Sequence, residues 1–166
     1  FNAITNVAIG LLFFMHGAKL SREAIVNNRL ELYLQPLWDL RRGRLAGVES
    51  LARWNSPHWG QVEPNAFIPL AEQTGLITPL TSWSLNNTLN ICAQARRQGL
   101  AIPFSINFSP RVLPERGVVE QILDALRIWD VPPEAIVLEV TETAVLEDPA
   151  VSARLLEIAD ALKDGK

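Results

Sequence analysis

The chain has 166 residues and a single cysteine, Cys92. No intrachain disulfide can form, and a reducing compartment is the natural setting for such a chain. Cys92 falls within a helical pattern, where it reads as a small core residue rather than a nucleophile. Long apolar runs are also lacking. The nearest candidate, Val7-Ala8-Ile9-Gly10-Leu11-Leu12-Phe13-Phe14-Met15, is shorter than the ~18–20 residues needed to span a bilayer. The residues ahead of it are uncharged, unlike the basic start of a signal peptide. Charge of one sign is missing too: the net charge is −3. That balance gives no bulk attraction to a nucleic-acid polymer or an anionic membrane, while leaving local patches open. An anionic ligand would need local help from a metal ion, arginines or helix N-termini. The two histidines, His16 and His58, are far apart and lack the spacing of metal ligands. No internal repeat or low-complexity tract is present.

Enough apolar sequence remains for a core, with 48% hydrophobic and 20% charged residues, as in one ordinary globular domain. Two compositions meet near Asn27-Asn28, which divides the chain into residues 1–28 and 29–166. Beyond that point strands and helices alternate. Glu31-Leu32-Tyr33-Leu34-Gln35-Pro36-Leu37 has β-type alternation. Arg41-Arg42-Gly43-Arg44 is a polar turn, and residues 45–54 form a second strand paired with the first. Residues 55–60 read as a loop. Pro64 opens a helix that turns Phe67, Ile68, Leu70 and Ala71 inward and stops at Gly75. Residues 78–98 carry apolar side chains at helical spacing, with Gly99 as the stop. A strand over 102–108, a helix over 117–129, a strand over 135–141 and a helix over 149–162 follow. This order predicts an α/β fold with a parallel sheet, the first two strands being the antiparallel exception.

In α/β folds chemistry gathers at the C-terminal ends of strands. Glu49 lies within the second strand, Asn107 ends the third, and Glu139 and Glu142 end the fourth. Each alone reads more readily as a helix cap or a loop hydrogen-bonding group, and it is their coincidence that points to a shared site. Two carboxylates and an amide oxygen at one rim are hard ligands, suited to Mg²⁺ or Mn²⁺ rather than zinc.

Five motifs then occur in order. They are Leu34-Gln35-Pro36-Leu37-Trp38-Asp39-Leu40, Gly47-Val48-Glu49-Ser50-Leu51-Ala52-Arg53-Trp54, Pro64-Asn65-Ala66-Phe67-Ile68-Pro69-Leu70-Ala71-Glu72-Gln73-Thr74-Gly75-Leu76-Ile77, Ser105-Ile106-Asn107-Phe108-Ser109 and Leu138-Glu139-Val140-Thr141-Glu142. Together they make residues 30–166 resemble the front part of an EAL-type cyclic-di-GMP phosphodiesterase domain. The resemblance implies a partial TIM-like barrel with an antiparallel first strand, cut off after about four strands. It also implies metal-dependent hydrolysis of cyclic-di-GMP to pGpG. By position, Glu49, Asn107 and Glu139 match metal ligands for Mg²⁺ or Mn²⁺, as a two-metal site expected only in the complete domain. Glu142 matches the glutamate that steadies the catalytic loop. Gln35, Leu51 and Arg53 match substrate contacts, Arg53 being suited to a phosphate by its fork of donors.

Two departures qualify this. The signature triplet reads Glu-Ser-Leu instead of Glu-Ala-Leu, a change expected to have a modest effect. The family's later Asp-Asp-Phe-Gly-type motif and its base-positioning lysine do not occur in the sequence. A barrel of this kind needs roughly 250 residues and eight strands. The chain is therefore expected to be inactive by itself, with a homodimer or the other half of the barrel as its structural partner. A non-catalytic cyclic-di-GMP-binding or regulatory module, and a non-functional remnant, are the competing readings. A cytoplasmic domain, of a membrane-attached parent or not, is the implied location. Residues 1–26 also resemble a membrane segment of bile-acid/sodium-symporter-like transporters; the alternative is that residues 19–28 are the lead-in helix of an EAL domain.

Overall fold

The computed structural model describes residues 30–57 and 59–164. The predicted boundary at residue 28, the segment before it and both histidines lie outside the described residues. Among these residues the elements run β1 (Leu30–Asp39), β2 (Arg44–Ser56), β3 (Gly60–Val62), α1 (Pro64–Thr74), α2 (Ile77–Arg97), β4 (Phe104–Asn107), α3 (Val118–Trp129), a 3₁₀ turn (Pro133–Ala135), β5 (Ile136–Glu139), α4 (Glu142–Glu147) and α5 (Pro149–Asp164). The chain divides into two compact units, residues 52–80 with the start of β1 in one, and 34–51 with 81–164 in the other.

In the first unit the end of β2 pairs antiparallel with β3, Trp54 facing Val62 and Ser56 facing Gly60. This corrects the expectation of a plain loop over 55–60. Gly60 has φ +67°, a conformation that glycine adopts without cost and that lets the chain reverse. Helix α1 begins at Pro64, whose missing N–H is no loss in a first turn, and ends at Gly75 in the left-handed conformation. Its Phe67 is fully buried and meets the edge of Trp54 at 6.2 Å between ring centroids.

The second unit holds the sheet path β1-β2-β4-β5. The turn between β1 and β2 is fixed by Asp39, whose Oδ1 accepts N–H bonds from Arg41 and Arg42, a local preference of aspartate. β2 pairs parallel with β4 (Val48 with Phe104, Glu49 with Ser105, Ser50 with Ile106), and β4 pairs parallel with β5 (Phe104 with Ile136, Asn107 with Glu139). Each parallel pair is joined through helix, as parallel strands require.

The sheet's helix-covered face carries Val48, Ser50, Phe104, Ile106 and Ile136, all buried. Leu85, Leu89, Cys92, Ile122, Leu126 and Val151 from the helices complete this core. Trp129 donates its indole N–H to Asn86, tying α3 to α2. Cys92 is fully buried. Burial holds its thiol above the ordinary value, with nearby Arg96 pulling the other way, so it remains a protonated core side chain. The fold is thus α/β, with an open sheet whose parallel strands alternate with helices in TIM-like order. Five strands are described instead of about four, the extra one being β3.

Candidate functional site

Strand alternation sorts the sequence-predicted residues. Successive side chains of a strand point to opposite faces, so Glu49 and Leu51 on β2 lie opposite the buried Val48 and Ser50. Register carries that face across the sheet. Glu49 is beside Ser105, Asn107 lies two residues on from Ser105 along the same strand, and Glu139 is beside Asn107. Glu49, Asn107 and Glu139 therefore share one face of three adjacent strands. The structure brings Glu49 and Asn107 into contact, the Asn107 Nδ2 donating to Glu49 Oε1 at 2.9 Å although 58 residues separate them. Glu49 and Glu139 are half-buried and Asn107 is exposed. All three side chains can thus reach a ligand without the full cost of a carboxylate enclosed in a core.

This donor set fits a hard divalent cation. It consists of two carboxylates and an amide, with neither thiolate nor imidazole. As the site stands, the amide nitrogen satisfies Glu49. Holding a cation would need the Asn107 side chain to present its oxygen instead. Among the described residues, no group of three or more His, Cys, Asp and Glu side chains is placed to hold a metal; the candidate set counts an amide beside its two carboxylates.

The other predicted residues are placed less tightly. Gln35 is an exposed residue of β1, and Leu51 is half-buried on the Glu49 face of β2. Arg53 belongs to the first unit. Its Nη1 donates to the Ala52 carbonyl at 3.0 Å, and its guanidinium lies 5.6 Å from the centre of the Tyr33 ring, a cation–π arrangement that holds the fork of donors. Glu142 does not end β5, as its position in the sequence suggested; it opens the short helix α4. Ser105, which the sequence motif contains without a role assigned to it, is buried on the site face beside Glu49. Its two-residue spacing from Asn107 was the available signal.

Comparison with known proteins decides the family. The EAL domain model matches residues 19–164. The chain belongs to the EAL-domain family. That match takes in residues 19–28, in keeping with a lead-in segment, and nothing in it supports a transporter likeness. Among relatives, the oxygen sensor protein DosP of Escherichia coli (strain K12) is 36% identical over 141 residues, which span 84% of this chain and 18% of that protein. A cyclic di-GMP phosphodiesterase of Pseudomonas aeruginosa is 34% identical over 125 residues, 75% of this chain and 21% of its own length. A solved structure of the PaMucR phosphodiesterase in complex with c-di-GMP superposes with a TM-score of 0.79 at 32% identity, over 87% of this chain and 57% of that one. This EAL chain thus spans about a fifth of the two curated relatives described.

Proposed function

We propose that this EAL segment contributes metal ligands and nucleotide contacts to a cyclic-di-GMP phosphodiesterase site that hydrolyses one phosphodiester bond to give pGpG. The observation that carries the reading is the meeting of Glu49, Asn107 and Glu139 on one face of three adjacent strands, the first two in direct contact. The phosphodiesterase relative and the c-di-GMP-bound neighbour support it.

Glu49, Asn107 and Glu139 would hold Mg²⁺ or Mn²⁺ through oxygen. When bound, such an ion supplies an activated water and offsets charge on the phosphoryl oxygens. Arg53 is assigned to a phosphate, for which its planar fork of donors is matched. Gln35 and Leu51 are assigned to the nucleotide, one by its amide and the other by apolar contact. Glu142, at the start of α4, is assigned to steadying the loop that follows the next strand. The 166 residues by themselves are proposed to lack turnover, because no Asp-Asp-Phe-Gly motif occurs in them to complete the ligand set.

The test joins the chain to the C-terminal portion of the EAL domain of the Pseudomonas relative and follows pGpG release with Mg²⁺ or Mn²⁺. Turnover is expected in the fusion and absent from its Glu49→Ala version. A folded fusion without turnover, or one indifferent to Glu49→Ala, sinks the assignment. Turnover by the 166 residues alone, lost in Glu49→Ala, would overturn only their proposed inactivity.

No helix among the described residues is long and apolar enough to cross a membrane.

A further inference from the structure

Arg53 is a half-buried cation with little around it to answer its charge. Among the described residues it makes no ion pair. Its guanidinium stays charged at any ordinary pH and carries a planar fork of N–H donors. One nitrogen, Nη1, donates to the Ala52 carbonyl at 3.0 Å. The rest of the fork meets no acceptor among the described residues. A fork held partly out of water with donors left over is suited to an oxyanion. A side chain as long as arginine nevertheless loses much rotamer freedom when it is fixed for such a contact. Either something holds it beforehand, or ligand binding bears that cost.

The Tyr33 ring is placed to hold it. Tyr33 and Arg53 lie on neighbouring strands, β1 and β2, within the same compact unit. The guanidinium carbon is 5.6 Å from the ring centroid, within the range over which the face of an aromatic ring attracts a cation. Core packing does not account for the tyrosine, since it is 48% exposed. Nor does it make a hydrogen bond or a ring–ring contact among the described residues. The two contacts of Arg53 use different parts of the group. A ring engages the flat face of a guanidinium, whereas hydrogen bonds leave in its plane. With the face on Tyr33 and Nη1 on the Ala52 carbonyl, the other in-plane donors remain open to a ligand.

We propose that Tyr33 is a positioning residue, whose ring holds the Arg53 guanidinium ready to receive a phosphate of the cyclic dinucleotide. The proposal rests on the assignment of Arg53 to a phosphate and adds the group that orders it. Tyr33 acts through Arg53. The other use of an exposed tyrosine, as a platform on which a base stacks, would make it a direct contact and would give a different pattern of variants.

The test measures KM and kcat for cyclic-di-GMP in the fusion with the C-terminal portion of the Pseudomonas relative. Tyr33→Leu should raise KM about two- to fivefold, the worth of an exposed cation–π contact. It should leave kcat within about twofold, because the pair orders a group that binds ground and transition states alike. Tyr33→Phe keeps the ring and should stay within about 1.5-fold of the parent KM. In an Arg53→Ala background Tyr33→Leu should add nothing, since the two substitutions remove one interaction. An unmoved KM in Tyr33→Leu, or a loss as large in Tyr33→Phe, overturns the proposal. So does a Tyr33→Leu effect that survives in Arg53→Ala, which would make the ring a base platform. A second readout is independent of turnover. In the 166-residue chain, the Arg53 side-chain N–H resonance, identified by its loss in Arg53→Lys, should carry a ring-current shift that Tyr33→Leu removes and Tyr33→Phe retains. A folded fusion without turnover defeats the phosphodiesterase reading and leaves this shift to decide the pair. An Arg53 resonance indifferent to Tyr33→Leu defeats the positioning role while turnover in the fusion stands.

Discussion

The two faces of one sheet divide the work of this EAL chain between alternate residues of the same strands. On β4, Phe104 and Ile106 are 2% and 0% exposed beneath the helices, while Asn107 on the other face is open. On β5, Ile136 is 8% exposed and its neighbour Val137 45%. Parallel strands ordinarily read as continuous apolar runs because both faces are covered. Here the second face carries Glu49, Ser105, Asn107 and Glu139 among the apolar Leu51 and Val137. A period of two thus lets a four-residue strand supply packing on one face and a polar group on the other. It also means that the two roles can be damaged separately.

The largest expected effect lies on the helix-covered face. Phe104→Ala should cost about 3–5 kcal/mol of unfolding free energy, from lost apolar transfer and the cavity left behind. Urea titration followed by circular dichroism would measure it. Glu49→Gln, next to the same strand but on the other face, keeps an oxygen to accept from Asn107 and should stay within about 0.5 kcal/mol. Its effect should appear instead as lost nucleotide or cation binding. Comparable destabilisation by the two substitutions would dissolve the division between the faces.

This division was only partly legible in the sequence. The strand–helix order and the helix stops at Gly75 and Gly99 follow from local chemistry, because proline, glycine and apolar spacing act within a few residues. The candidate residues Glu49, Asn107 and Glu139 were legible as well, through the strand motifs that carry them. Their contact was not. The Asn107–Glu49 hydrogen bond depends on register between strands far apart in the chain, and register is set by packing rather than by any local signal. Strand β3 escaped notice because Gly60-Gln61-Val62 is too short to show alternation; it exists through pairing with Trp54 and Ser56. Glu142 was misplaced for a related reason. The residues after Glu139 keep an apolar-polar pattern, yet sheet pairing stops at Asn107 opposite Glu139, and the chain is then released into α4.

A second experiment asks how closely the two parallel strands must approach for their faces to stay in register. Gly47 precedes the paired stretch of β2, and a Cβ there would meet the Pro103 carbonyl at 3.0 Å and the Pro103 ring at 3.3 Å. The first atom belongs to backbone that also accepts the Val48 N–H, so it cannot swing aside without loosening that bond. Gly47→Ala should destabilise by about 1–3 kcal/mol, in the range of an overpacked core. It should also shift the amide signals of Val48 and Phe104. A neutral result would show that β2 and β4 can separate locally without disturbing either face.

The smallest expected effect concerns the residue that departs from the family signature. Ser50 lies between the proposed ligand Glu49 and the substrate-contact candidate Leu51, but its side chain turns to the helix-covered face, where it is 2% exposed. Its hydroxyl is buried with no hydrogen-bond partner among the described residues. An unsatisfied buried hydroxyl carries a desolvation cost that a methyl group of nearly the same shape does not. Ser50→Ala, which restores the Glu-Ala-Leu triplet, should therefore raise the unfolding free energy by about 1 kcal/mol. It should leave binding at the Glu49 face unchanged, since the oxygen removed points the other way. The two measurements must be made together. A gain in stability with unaltered binding places Ser50 wholly in the packing half of the strand. A change in nucleotide or cation affinity would instead show that β2 transmits strain from one face to the other, and the separation of roles would hold only where the strands are short.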